Sequence, residues 1–93
     1  MFVIVFTSRA KRSLKKHKRS GSFPREKLVI ALDMLRKGER LPISYQDHIL
    51  QGELTDMREF HLGYDLLVQY ARNEVLRTIT VAAIGTHNEL FGN

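Results

Sequence analysis

Between Met57 and Ile84, three apolar segments rich in β-branched and aromatic residues follow one another with very little between them. Met57 to Leu62 and Tyr64 to Tyr70 are separated by Gly63 alone, and Ala71-Arg72-Asn73-Glu74 precede the third, Val75 to Ile84. Such composition suits extended backbone. A parallel pair needs a crossover of a dozen or more residues, so gaps this short require antiparallel neighbours. The C-terminal half is therefore expected to be a three-stranded meander.

The N-terminal half has a different period. Phe2-Val3-Ile4-Val5-Phe6 reads as a short buried strand, far too short for a secretory signal or a membrane span. Thr7 or Ser8 is placed to cap a helix running to about Arg19, and Ser20-Gly21-Ser22 breaks it. A second helix starts near Pro24, a residue suited to a first turn because it lacks an N–H. Leu28, Ala31, Leu32 and Leu35 recur at helical spacing and mark its core face, and Lys37-Gly38 supplies the stop. Residues 39–56 read as a long connection. After the meander, Thr86 is placed to cap a last helical turn through Leu90, with Gly92 behind it. The order is strand, helical hairpin, meander and helical turn: one α+β domain over residues 1–93.

Charge divides the chain unevenly. Residues 1–40 hold twelve Lys and Arg against three acids, whereas residues 41–93 hold three against seven. A basic half beside an acidic one points to a polyanionic partner on one side, although a solvated helix face is the alternative. The absence of cysteine excludes disulfides and thiolate metal sites and fits a cytoplasmic protein.

Candidate chemistry sits in the less basic half. His48 lies in Asp47-His48-Ile49-Leu50-Gln51-Gly52 of the long connection, His61 closes Arg58-Glu59-Phe60-His61, and His87 follows Gly85-Thr86. Strand alternation puts Glu59 and His61 on one face and turns Arg58 and Phe60 to the other. Asp65 begins the next strand across a tight turn, within reach of His61. Imidazole titrates near neutrality, so it can take or give a proton there. Cutting RNA without a metal needs a base for the ribose 2′-hydroxyl, an acid for the leaving 5′-oxygen and positive groups for the phosphorane-like charge. Three histidines are also a possible zinc site, but no pair has the i, i+4 spacing of a common zinc motif. His17, inside the basic helix, is expected to be merely exposed.

Four fragments together resemble the YafQ branch of the RelE/ParE toxin superfamily. They are Asp47-His48-x-Leu50-Gln51-Gly52, Arg58-Glu59-x-His61, Asp65-Leu66-Leu67-Val68-x-Tyr70 and Gly85-Thr86-His87-x-Glu89-Leu90-Phe91-Gly92, in register over 46 residues. The resemblance covers essentially the whole chain and implies a RelE-like fold. It also implies a metal-independent, cofactor-free endoribonuclease that cuts messenger RNA on the ribosome. The implied second partner is an acidic antitoxin of the DinJ kind. By position it assigns His48, His61, His87, Glu59 and Asp65 to catalysis. Phe91 is a candidate to stack on a substrate base, and Arg58 with Lys11, Lys15 and Lys16 are candidates to bind RNA phosphates.

Two positions depart from the pattern. Relatives commonly carry arginine four residues before the last histidine, where this chain has Ala83, and some carry tryptophan where it has Leu66. Loss of a phosphate-contacting arginine motivates a second reading, an RNA- or antitoxin-binding module with weak or no catalysis. A third is a non-nuclease inhibitor like the ParE relatives.

Overall fold

The computed structural model describes residues 1–51, 57–63 and 65–92. Five strands, β1 (Val3–Phe6), β2 (His48–Ile49), β3 (Arg58–His61), β4 (Leu66–Asn73) and β5 (Thr78–Thr86), form one sheet in the order β1-β5-β4-β3-β2. The helices are α1 (Ser8–Lys18), α2 (Arg25–Arg36) and α3 (His87–Phe91). The meander is present, with β3 antiparallel to β4 and β4 antiparallel to β5. Tyr64, placed by its sequence at the start of the second meander strand, and residues 52–56 of the long connection lie outside the described residues.

Helix ends follow the local chemistry. The Thr7 hydroxyl accepts from the Ala10 N–H at 3.1 Å and donates to the Ala82 carbonyl at 2.8 Å, so one side chain caps α1 and ties it to β5. Gly38, with φ of +80°, turns the chain after α2. Thr86 and Glu89 form a reciprocal capping box on α3, and Gly92 ends it in the left-handed conformation.

Three elements differ from expectation. β1 is an edge strand, parallel to β5, and its Val3 and Val5 are exposed. Its apolar run had suggested burial on both sides, but helices cover only one. β5 begins at Thr78 because the Asn73 side chain accepts from the Leu76 N–H at 2.8 Å and closes a turn, with Arg77 at φ of +56°. That local side-chain bond overrides the strand propensity of Val75 and Leu76. Within the long connection, residues 43–45 form a 3-10 turn, and His48 and Ile49 pair with β3 as a fifth strand.

The core lies between the two long helices and one sheet face. Ala10, Leu28, Ala31 and Leu35 pack with Phe60, Val68, Tyr70, Ile79, Val81 and Ile84, all nearly inaccessible to water. Tyr45 joins them edge-on to Phe60, its hydroxyl donating to the Lys27 carbonyl at 3.0 Å. The β4–β5 register slips at Gln69/Tyr70, which face Ala83 and Val81, leaving Ala82 as the extra residue of a bulge. The bulge resets the alternation, so that both Val81 and Ile84 reach the core. Among the described residues no helix is long and apolar enough to cross a membrane.

Candidate active site

Strand alternation sends Phe60 of β3 into the core and Glu59 and His61 to the opposite face. The β2 register sets His48 against Glu59, and the β4 register sets Gln69 against Glu59 from the other side. The row His48–Glu59–Gln69 therefore crosses three strands. Glu59 is only 4% exposed. One of its oxygens accepts from Gln69 Nε2 at 3.1 Å and the other lies 3.5 Å from His48 Nε2. The His61 ring centre is 6.0 Å from that of His48.

His48 is oriented from its other nitrogen. Its Nδ1 lies 2.7 Å from the Gln46 carbonyl, which can only accept, so Nδ1 carries the hydrogen and Nε2 is left facing Glu59. Gln46 reaches this position at φ of +52°, in the left-handed region. On the core side a second row backs the first. Arg58 Nε donates to Asp47 at 3.2 Å, and Tyr70, the β4 partner of Arg58, donates its hydroxyl to Asp47 as well. Arg58, singled out for RNA, is thus turned away from His61 and held by Asp47. Asp47, Gln46 and Gln69 were not recognised as site-builders; their only sequence signal is adjacency or strand register to the histidines.

One donor atom each from His48, Glu59 and His61 lies within 4.8 Å of the others. Two imidazoles and a carboxylate make a donor set that suits zinc or copper. The expectation of no metal rested on the missing i, i+4 pair, and the fold brings three donors together from two strands instead.

A family model described as the bacterial toxin of type II toxin–antitoxin system, YafQ, matches residues 2–92. The chain belongs to the YafQ family of type II toxins. Among solved structures, this YafQ-family toxin is similar to a metal-bound toxin from Helicobacter pylori, with 32% identity and a TM-score of 0.90 over 98% of this chain and 100% of that one. It is similar in fold to YafQ of E. coli strain BL21(DE3), at 22% identity and a TM-score of 0.87, covering 99% and 100% of the two chains. A chain of the E. coli DinJ–YafQ complex gives 24% identity and a TM-score of 0.86, again over 99% and 100%. No match is found among curated protein sequences.

The remaining candidates of the YafQ-family toxin are spread more widely. His87 opens α3 just beyond β5. In register, Gly85 pairs with Leu67 and Leu67 with His61, so the end of β5 stands two strand spacings, roughly 10 Å, from β3. The His87 ring packs on Phe91 at 4.8 Å between centres. Asp65 does not join His61; its Oδ1 accepts from the His87 N–H at 3.1 Å and steadies the start of α3. His17 is not merely exposed. Its Nε2 lies 3.0 Å from Glu89, which also takes Lys16 Nζ at 2.7 Å and the Thr86 N–H at 2.8 Å. Lys16, followed by the Thr86 N–H and His17, pulls the Glu89 carboxyl down to about 2. Lys16 is thereby committed to α3, whereas Lys11 and Lys15 line a groove beside β1. Lys27, not singled out in the sequence, borders a shallow depression with Ser44, Gln46, His61 and Gly63. Ala83 is buried opposite Gln69, and Leu66 is half-buried against the core.

Proposed function

We propose that this toxin is an endoribonuclease that cuts messenger RNA on the ribosome by acid–base catalysis at the 2′-hydroxyl, without a metal. An acidic antitoxin of the DinJ kind neutralises it, a partner supported by the E. coli DinJ–YafQ complex. The observation that carries the reading is His48, its tautomer fixed by Gln46, facing buried Glu59 with His61 alongside.

His48 Nε2 takes the 2′-hydroxyl proton, and Glu59 stabilises the imidazolium that results. The 2′-oxygen bonds to phosphorus and the bond to the 5′-oxygen breaks, leaving a 2′,3′-cyclic phosphate and, once protonated, a 5′-hydroxyl. The acid must reach the 5′-oxygen, which lies on the far side of phosphorus from the 2′-oxygen. His87 fills that role from the end of β5, with Phe91 beside it to stack on a base. His61 and Lys27 meet the phosphate charge, a task for which Ala83 offers no cation. Lys11 and Lys15 act at longer range by raising the local concentration of RNA.

The test is primer-extension mapping of a defined message incubated with ribosomes and purified toxin. His48→Ala and His87→Ala should each lower cleavage on the order of 10²–10⁴-fold with the circular dichroism unchanged. Undiminished cleavage in both variants would sink the proposal, and uncut message with RNA still bound would mark a binding module. A second reading is favoured by the three donor atoms and by the metal-bound Helicobacter pylori toxin: a divalent ion held by His48, Glu59 and His61. Cleavage lost to a chelator and restored by zinc would select it.

A further inference from the structure

We propose that Glu89 is a positioning residue for cleavage: clasped by Lys16 and His17 of α1, it holds α3 at the angle from which His87 and Phe91 face the substrate. The inference rests on the reading of His87 as the acid, and it gives one end of the basic helix a task in the reaction.

α3 needs an anchor. It is five residues long and buries none of them, so packing contributes little to its orientation. At about 100° per residue, His87 and Phe91 share one side of the helix and Glu89 points to the other. The rings of His87 and Phe91 lie 4.8 Å apart between centres, each supporting the other. Asp65 holds only the first amide, accepting from the His87 N–H at 3.1 Å. With that end fixed, a swing of α3 about Thr86 barely moves the His87 backbone. It does move Phe91, about 6 Å further along the helix, and so takes away the surface on which the His87 ring rests.

Glu89 opposes that swing from the far side. Its Oε2 accepts from Lys16 Nζ at 2.7 Å, and its Oε1 accepts from His17 Nε2 at 3.0 Å and from the Thr86 N–H at 2.8 Å. A carboxylate only accepts, so His17 carries a hydrogen on Nε2. A lone exposed ion pair orients little, and the Lys16 side chain is 71% exposed. The His17 side chain is only 18% exposed, and with it the carboxylate draws on two side chains of α1 as well as on its own cap. α1 is itself tied to β5, through Thr7 and the Ala82 carbonyl. The clasp therefore closes a circuit from β5 through α3 and α1 back to β5. Within it the bond to Thr86 caps α3, and the bonds to Lys16 and His17 aim it. Glutamine at 89 would keep the first and lose the charge behind the second.

The test is single-turnover cleavage of message on ribosomes by the purified toxin, beside nuclear magnetic resonance of the same proteins labelled with isotope. Two variants break the clasp: Glu89→Gln, and Lys16→Ala combined with His17→Ala. Each should lower kcat between about tenfold and a hundredfold at unchanged KM, since a displacement of about an ångström is enough. Nuclear Overhauser contacts between the His87 and Phe91 rings should fade in both. Lys16→Arg keeps a cation within reach of Glu89 and should retain the rate and the ring contacts. Lys15→Ala is the contrast: it removes a charge from α1 outside the clasp, so the ring contacts should persist and any loss should fall on KM. Ring contacts that survive in both clasp variants would overturn the proposal, as would a loss of activity carried by KM alone. So would Lys15→Ala matching the double variant, because the effect would then belong to the charge of α1. If the wild-type toxin leaves message uncut, the ring contacts still decide whether Glu89 places His87, and only the acid role of His87 falls.

Discussion

The Tyr70 hydroxyl sits 2.9 Å from each carboxylate oxygen of Asp47, joining β4 to the residue that immediately precedes His48. Asp47 and Arg58 close the same row on the core side, directly behind His48, Glu59 and Gln69. The row of His48, Glu59 and Gln69 is therefore clamped from the reverse side of the sheet. His48 needs such a clamp because its own strand contributes only two paired residues.

Tyr70→Phe should lower stability by about 1–2 kcal/mol, since Asp47 keeps Arg58 but loses the hydroxyl. Urea unfolding measures this. Burial, and then the charge of Asp47, push the Tyr70 hydroxyl well above the usual tyrosine value of 10.0. Its protonated form is favoured by folding, so the stabilisation is complete below pH 10.0 and declines as pH rises beyond it. Tyr70→Phe should remove that part of the alkaline decline, and an unaltered decline would count against the clamp.

The Glu89 clasp should fail in acid. Its carboxyl is held at about 2 against an ordinary 4.5, so the folded state favours the charged form. The contribution is present above pH 4.5 and is lost as pH falls toward 2. Amide exchange in α3 should speed up across that window, and Glu89→Gln should abolish the pH dependence while leaving α3 loose throughout.

Glu59→Gln keeps a group able to bond Gln69 but removes the charge that faces His48. Single-turnover cleavage should fall on the order of 10²-fold with little change in substrate affinity. A rise in KM at constant kcat would instead place Glu59 in binding.

Gly85→Ala should disturb α3 without touching its sequence. A Cβ there would meet Glu89 Oε1 at 2.9 Å and both Glu89 Cβ and Leu90 Cδ2 at 3.3 Å. The carboxylate has to swing away, and the expected cost is about 1–2 kcal/mol in thermal or urea unfolding. A Glu89–Lys16 pairing that survives in the variant's structure would contradict this account.

Features built by neighbours in sequence were legible. Short gaps fixed the antiparallel meander, and Thr7, Gly38, Thr86 and Gly92 marked the helix ends. The period of two separated Glu59 and His61 from Arg58 and Phe60. What stayed hidden depends on partners far along the chain. His17 meets Glu89 across 72 positions, and Tyr70 meets Asp47 across 23. The two-residue β2 carries no periodicity of its own, because it exists only through pairing with β3. Asp65 was expected beside His61 on the strength of a tight turn, but the turn aims its carboxylate at the start of α3.

The extra residue at Ala82 has a consequence for how this protein tolerates change. Tyr70 pairs with Val81 and Gln69 with Ala83, so Ala82 is the one step of β5 here that β4 does not match. Removing that one codon would bring Ala83 directly after Val81 and leave a regular ladder in which Ile84 still faces the core. Deleting Ala82 should thus cost less than deleting Thr80, which would draw Ala82 into the core place of Val81; paired expression of the two deletions would reveal the difference. A loss of length is absorbed at this one step, whereas the same loss nearby takes a core residue out of its place.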